Sequence, residues 1–153
     1  AYAKINNYKL IFVGPFDKRH TPILLKLIDK HNIRHLCVWK GWIDDDEKLS
    51  LLNECHALII ASLWEGFGLP ALEAMACGTP VIASDRGALR EVMGNYGYFI
   101  NPFNIQSIAC AMNAVINDKK CFEKALQEGP SRAESFNWLD TARTIEKIIQ
   151  EID

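Results

Sequence analysis

Two glutamates with a glycine-rich stretch between them are the residues best suited to chemistry. Glu65 and Glu73 lie eight positions apart, and Gly66 and Gly68 follow the first of them. Glycines let a backbone approach a ligand closely and present several amide protons together. Carboxylates accept hydrogen bonds from hydroxyl groups. A phosphate at the amides and hydroxyls at the carboxylates would be the chemical outline of a nucleotide sugar. On spacing alone, an ordinary turn leading into a helix explains the pattern equally well.

These residues lie between a predicted strand and a predicted helix. Residues 57–61 form a short apolar run typical of a buried strand. Pro70 can be the first helical residue, because it lacks an amide proton and its φ is preset. We expect this helix over residues 70–77, closed by Gly78, with Glu73 on its first turn. Its N-terminus would add about half a positive charge to the proposed phosphate site.

Strand and helix patterns alternate along the rest of the chain. The predicted strands are residues 8–13, 35–39, 57–61, 80–83 and 97–100, and the predicted helices are residues 22–30, 70–77, 108–116, 119–127 and 139–152, with a further amphipathic segment after residue 46. This alternation implies a parallel sheet covered on both faces, with ligands outside the carboxyl ends of the strands. We predict an α/β fold, a Rossmann-like three-layer sandwich, with residues 1–153 as one domain.

Composition and charge exclude several classes of function. The net charge is -2, with acidic and basic residues interspersed, so no nucleic-acid surface is expected. No apolar segment reaches the roughly 18 residues of a membrane span, and residues 1–7 have none of the three zones of a signal peptide. We expect a cytoplasmic location, with any contact to the cytosolic membrane face made through a portion outside this chain.

Cysteines, histidines and aspartates suggest no metal site. The five cysteines, which we expect to be buried free thiols of a reducing compartment, are Cys37, Cys55, Cys77, Cys110 and Cys121. The four histidines show no ligand spacing. Residues 44–46 are all aspartates, and before a helix they are more readily explained as a cap than as metal ligands. We expect Trp39, Trp42, Trp64 and Trp138 to be core or cleft-wall aromatics.

The string from Glu65 to Ser84, EGFGLPALEAMACGTPVIAS, resembles the signature of the group 1 retaining glycosyltransferases, glycosyltransferase family 4. That pattern has two glutamates with seven residues between them, then a small-residue helix and Gly-x-Pro-Val. The similarity continues through residues 86–92, 101–102 and 136–138, and upstream through residues 12–15 and 38–41. Within the family, the string is most similar to mannosyl- and rhamnosyl-type transferases of polysaccharide assembly.

The resemblance implies a role for each residue of this string. Glu65 would contact hydroxyls of the transferred sugar and serve as the catalytic residue. The backbone amides of Gly66, Phe67 and Gly68 would also address the sugar. The amide of Leu69 would bind the diphosphate.

The nucleoside part of the donor is implied at three further positions. Glu73 would hold the ribose hydroxyls. The backbone near Ile43 and the side chain of Lys48 lie where the nucleobase contacts of the family fall.

The exit of the first strand departs from the family pattern. Members usually have Gly-Arg there, followed by Lys-Gly, whose cations neutralise the diphosphate. Here Gly14 is followed by Pro15, and Arg19 and His20 stand where the second pair falls. We expect Gly14, Arg19 and His20 to contact the diphosphate, although a histidine is mostly neutral at pH 7. A solvated basic turn is the alternative.

The resemblance implies half of a GT-B fold, whose active site lies between two Rossmann-like domains and generally needs no metal or other cofactor. The expected partners are a nucleotide-diphosphate sugar, an N-terminal GT-B domain absent from this chain, and a glycan or lipid-linked acceptor. We therefore predict the C-terminal, donor-binding domain of a hexosyltransferase that is inactive when isolated. The alternative is a degenerate binding or interaction module without transfer activity.

Overall fold

The computed structural model describes residues 8–152. The chain forms two compact units, one ending at Lys48 and the other beginning at Leu49. Residues 1–7, on which the signal-peptide prediction depends, lie outside the described residues. The assignment of residues 1–153 to one domain stays a prediction.

Strands and helices alternate as expected. In chain order they are β1 (Leu10–Val13), α1 (Thr21–Lys30), a 3-10 turn (Arg34–Leu36), β2 (Cys37–Gly41), α2 (Asp45–Glu54), β3 (Leu58–Ile60), α3 (Leu69–Ala76), β4 (Val81–Ser84), α4 (Leu89–Met93), β5 (Tyr98–Ile100), α5 (Ile105–Asn117), α6 (Lys119–Glu134) and α7 (Trp138–Gln150). The strands pair in parallel, β1 with β2 in the first unit and β3-β4-β5 in the second. Parallel sheets with flanking helices confirm the Rossmann-like α/β class.

The second unit holds the main core. All four residues of β4 are buried, as expected for the central strand of its sheet. On one side it packs against α3, where Ala71, Ala74 and Met75 are inaccessible to solvent. The hydroxyl of Tyr96 donates a hydrogen bond to the Thr79 carbonyl at 2.8 Å, which satisfies a polar group inside this core. The buried packing of β4 against α3 therefore supports the loops at the carboxyl ends of β3 and β4.

Helix α6 is longer than predicted. We expected it to end at about residue 127, yet it continues through Gly129 and Pro130 to Glu134. Ala125, Gly129 and Ala133 are buried one turn apart. A β-carbon at Gly129 would lie 2.5 Å from the Met75 carbonyl oxygen. The glycine is thus needed for close packing against α3, and this tertiary contact outweighs its low helix propensity.

Several other expectations are wrong. A short helix, α4, was not predicted, and α5 begins at Ile105 rather than at residue 108. Pro70 is the second residue of α3, not the first. All five cysteines are free, but none is fully buried and Cys110 is exposed. Of the tryptophans expected in the core or a cleft wall, Trp42, Trp64 and Trp138 are not core residues, since they are 83%, 78% and 84% exposed, and a cleft-wall position stays a prediction.

Helix α7 is amphipathic, but none of its residues is buried. Its exposed apolar side chains are Trp138, Leu139, Ile145, Ile148 and Ile149. Among residues 8–152, no helix combines the length and apolar character needed to cross a bilayer.

Candidate functional site

Glu65 lies in the loop between β3 and α3, at the carboxyl end of the strand. Its carboxylate is half-buried and accepts a hydrogen bond from the Ser62 hydroxyl, 2.6 Å from Oε1. Ser62 escaped the sequence interpretation, although its position three residues before Glu65 allows this local contact. This hydrogen bond favours one orientation of the Glu65 carboxylate, whose other lone pairs can accept further hydrogen bonds.

The start of α3 presents a group of backbone amides. Gly68 adopts the left-handed conformation (φ 96°) at the N-cap, and no side chain caps the helix. The hydrogen bonds found within the described part of the chain include none donated by the amides of residues 66–69. A side chain at Gly68 would meet Leu89, with its β-carbon 2.7 Å from Cδ2. The glycine turn therefore leaves a group of amides at a helix N-terminus, which suits an anion.

Glu73 is the fifth residue of α3, so it lies at the start of the second turn and not on the first as predicted. Side chains on a helix lean toward its N-terminus, and this tendency favours a carboxylate directed toward the β3–α3 loop. The side chain is half-buried. Along the chain, Glu65 therefore precedes the amides of residues 66–69 and Glu73 follows them.

A neighbouring loop holds the backbone of Glu65. The Ala88 amide donates to the Glu65 carbonyl at 3.2 Å. Gly87, with φ 59°, approaches so closely that a β-carbon would lie 2.6 Å from the same oxygen. The sequence interpretation missed these contacts with the Glu65 backbone. The signal available for them was a glycine after the predicted fourth strand.

The same loop forms an ion pair with α4. Arg90 Nε donates to Asp85 Oδ1 at 2.5 Å, and this hydrogen bond holds the pKa of the Asp85 carboxyl below its ordinary value. Arg86 lies over the exposed ring of Phe103, 5.0 Å from its centroid. The contact of Arg86 with Phe103 connects the loops that follow β4 and β5.

The predicted diphosphate residues of the first unit follow β1. Gly14 takes an unusual φ of 132°, and its amide donates to the Gly41 carbonyl at 2.8 Å. Arg19 and His20 lie in the turn before α1, with their side chains 83% and 77% exposed. The turn is therefore accessible to a ligand, as the resemblance implies.

Asp17, which the sequence interpretation overlooked, organises that turn. Its Oδ1 accepts hydrogen bonds from the backbone amides of Arg19 and His20, at 2.7 and 2.9 Å. These two amides, that of His20 first, lower the pKa of the Asp17 carboxyl. The Asp-x-x-His-Thr spacing was the available signal, since an aspartate commonly bonds backbone amides a few residues ahead. A carboxylate thus already occupies amides that a phosphate could use.

Ile43 and Lys48, the predicted nucleobase contacts, flank the start of α2. Asp44 caps this helix, accepting from the Glu47 amide at 2.8 Å, which confirms the cap interpretation of the aspartates. Lys48 Nζ lies 3.0 Å from Asp45 Oδ1, and Lys40 pairs with Glu47. The charges of this segment are thus largely balanced by local partners.

The predicted residues fall into two sets. The second unit brings together Glu65, Gly66, Phe67, Gly68, Leu69 and Glu73 on one strand–loop–helix segment. The first unit contains Gly14, Arg19, His20, Ile43 and Lys48. That the two sets bind one ligand stays a prediction. Within residues 8–152, no three His, Cys, Asp or Glu side chains form a group that could hold a metal ion.

Comparison with known proteins shows what this chain is similar to. Residues 1–132 match the model of a family described as "Glycosyl transferases group 1". The chain is 32% identical over 136 residues to the serotype-specific mannosyltransferase WbdA of Escherichia coli, a match covering 88% of this chain and 17% of WbdA.

Two solved structures share the fold of this chain. Alr3699/HepE of Anabaena, crystallised with UDP and glucose, superimposes with a TM-score of 0.83 at 23% identity, over 94% of this chain and 40% of HepE. The C-terminal domain of a group 1 glycosyl transferase, LpcC of Francisella tularensis, superimposes with a TM-score of 0.76 at 30% identity, over 86% of this chain and 71% of that domain. The chain therefore spans less than half the length of WbdA or of HepE.

Proposed function

Because the chain belongs to the group 1 glycosyl transferases, we propose that it is the donor-binding part of a retaining glycosyltransferase. The reaction would move a hexose from a nucleotide-diphosphate sugar to a glycan or lipid-linked acceptor. One observation carries this proposal: the amides of residues 66–69, unpaired within residues 8–152, lie at the N-terminus of α3, and Glu65 precedes them in the chain while Glu73 follows.

The geometry supports a division of roles. Growing negative charge on the leaving nucleoside diphosphate would be stabilised by the Leu69 amide and the positive end of α3, in place before the reaction begins. Glu65, oriented by Ser62, would hold hydroxyls of the hexose. Glu73 would hold the ribose. Fixed dipoles and oriented carboxylates favour the transition state because they need no reorganisation as charge develops.

The wider context of the chain is also part of the proposal. An N-terminal GT-B domain would bind the acceptor and complete the active site, so this chain alone would transfer little or no sugar. The location would be cytoplasmic, and no metal or other cofactor would be required. Mannosyltransferase relatives such as WbdA favour polysaccharide assembly as the setting.

Calorimetric titration of the chain with UDP, GDP and ADP tests donor binding. We expect at least one nucleotide to bind, and Glu73→Ala to weaken that binding by about tenfold through loss of charge-assisted hydrogen bonds to the ribose. Glu146→Ala, which changes an exposed glutamate on α7, is the matched control and should bind as the wild type does. Equal affinity for the Glu73 and Glu146 variants would contradict the ribose assignment.

A degenerate binding module without transfer activity is the second candidate. The observation in its favour is Asp17, whose carboxylate occupies amides in the turn after β1, together with Pro15 in place of a cation. This candidate requires that none of the three nucleotides binds, so the same titration separates the two.

A further inference from the structure

Phe136 connects the junction of helices α6 and α7 to the β3–α3 loop. It is half-buried, and its ring meets the ring of Phe67 edge to face, with centroids 5.7 Å apart and planes at 87°. Phe67 lies between Gly66 and Gly68, in the loop whose amides we assign to the donor. Because these two glycines have no side chains, the Phe67 ring is the one side chain through which the three-residue segment can pack. Its contact with Phe136 therefore bears on the direction of those amides.

Arg132, near the end of α6, also contacts the Phe136 ring. Its guanidinium carbon lies 4.8 Å from the ring centroid. Its Nε donates to the Val92 carbonyl at 2.9 Å, and its Nη2 donates to the Glu91 carbonyl at 2.5 Å. These carbonyls belong to the last turn of α4, where the negative end of a helix favours a cation. Two hydrogen bonds and a ring contact leave Arg132 little freedom to move, and the arginine restricts the Phe136 ring in turn.

Helix α4 contacts the same loop at its other end. The Ala88 amide, just before the helix, donates to the Glu65 carbonyl at 3.2 Å. Leu89, its first residue, lies so close to Gly68 that a β-carbon on the glycine would be 2.7 Å from Cδ2. Residues 65 and 68 are therefore held by α4 directly, and the stretch between them is held through Phe67.

We propose that Phe136 is a positioning residue for donor binding, which packs on Phe67 and so keeps the amides of residues 66–69 directed at the diphosphate and the hexose. The inference rests on the proposed donor-binding function. A residue flanked by glycines has many accessible conformations, and each one that turns the amides away lowers the fraction of protein that is competent to bind. The aromatic contact favours the competent conformation before the ligand arrives, so the cost of ordering the loop is not subtracted from the affinity.

Calorimetric titration with GDP, ADP and UDP, of the wild type, Phe136→Leu, Phe67→Leu and the double variant, tests this proposal. The geometric part of an edge-to-face ring pair corresponds to about 2- to 12-fold in affinity. We expect each single variant to lose that factor for the nucleotides that the wild type binds. The double variant should bind no more weakly than either single variant, because both changes remove the same contact. Phe136→Tyr, which keeps the ring, should bind as the wild type does.

Phe122→Leu is the matched control for the change of side chain. Phe122 lies on α6, is 37% exposed, and has no ring contact among residues 8–152. Its replacement should leave all affinities unchanged. Tyr96→Phe is the control for a loss of stability, because it removes a core hydrogen bond outside the β3–α3 loop, and it should also bind as the wild type does.

The outcomes separate this inference from the function on which it rests. If Phe136→Leu binds as Phe122→Leu does, if the two single losses add in the double variant, or if Phe136→Tyr binds no better than Phe136→Leu, the inference is overturned and the donor-binding proposal stands. Should Phe136→Leu not fold, Phe67→Leu tests the same contact from the loop, where the side chain is 41% exposed, and wild-type affinity there overturns the inference. If no nucleotide binds the wild type, both are overturned.

Discussion

Gly87→Ala tests whether the β4–α4 loop holds the donor loop in place. Gly87 has φ 59°, and an added β-carbon would lie 2.6 Å from the Glu65 carbonyl oxygen and 3.0 Å from the Glu65 nitrogen. A side chain in the left-handed region costs about 1–2 kcal/mol. Because both contacts are with backbone atoms, the clash cannot be relieved by a side-chain rotation.

The expected magnitude follows from these distances. An ordinary contact begins at 3.4 Å, so the two loops must separate by about 0.8 Å, the difference between 3.4 and 2.6 Å. Overpacking of this kind costs about 1–3 kcal/mol. Together with the conformational cost, the free energy of unfolding should fall by about 2–5 kcal/mol. A typical domain has a free energy of unfolding of about 5–15 kcal/mol, which exceeds most of this range, so we expect the variant to fold.

Urea unfolding followed by circular dichroism measures this loss. Gly41→Ala is the control, because Gly41 has φ 67° but a β-carbon added there would meet no atom within 4 Å. The free energy of unfolding of the Gly41 variant should fall only by the conformational cost, about 1–2 kcal/mol. Nucleotide affinity, measured on the same Gly87 variant, should also fall because Glu65 and the amides after it are displaced. A Gly87 variant no less stable than the Gly41 variant would refute the reasoning.

Two further predictions concern Asp17 and Tyr96. Asp17→Asn removes a negative charge from the amides of Arg19 and His20, so nucleoside diphosphates should bind several-fold more tightly in calorimetry; unchanged or weaker binding would remove this turn from the diphosphate site. Tyr96→Phe deletes the hydrogen bond to the Thr79 carbonyl and should cost about 1–2 kcal/mol in urea unfolding at pH 7. Burial raises the pKa of Tyr96 above its ordinary value. The stabilising neutral form is therefore fully present below the unfolded pKa of about 10, and stability should fall as the pH rises above it. If the Tyr96→Phe variant loses as much stability at alkaline pH as the wild type does, this assignment is contradicted.

The order of elements was predictable because it depends on local patterns. Apolar runs such as residues 57–61 and 80–83, separated by amphipathic segments, predicted alternating strands and helices, and the parallel pairing of β3, β4 and β5 confirms them. Helix ends were less predictable. Whether α6 stops at Gly129 depends on the neighbour that the glycine meets, here the Met75 carbonyl, and that neighbour is distant in sequence.

In the candidate site, too, some features follow from the sequence alone and others depend on the folded structure. The sequence by itself determined the family and the set of glutamates and glycines between residues 65 and 73, because these features are contiguous. Only the tertiary structure decided how that loop is supported, since Gly87 and Ala88 contact Glu65 from the loop after the neighbouring strand β4. It also decided that Trp42 is exposed and not a core residue. The physical reason is that contacts between distant segments and the solvent exposure of a side chain are set by packing, to which no local pattern of residue types is a sufficient guide.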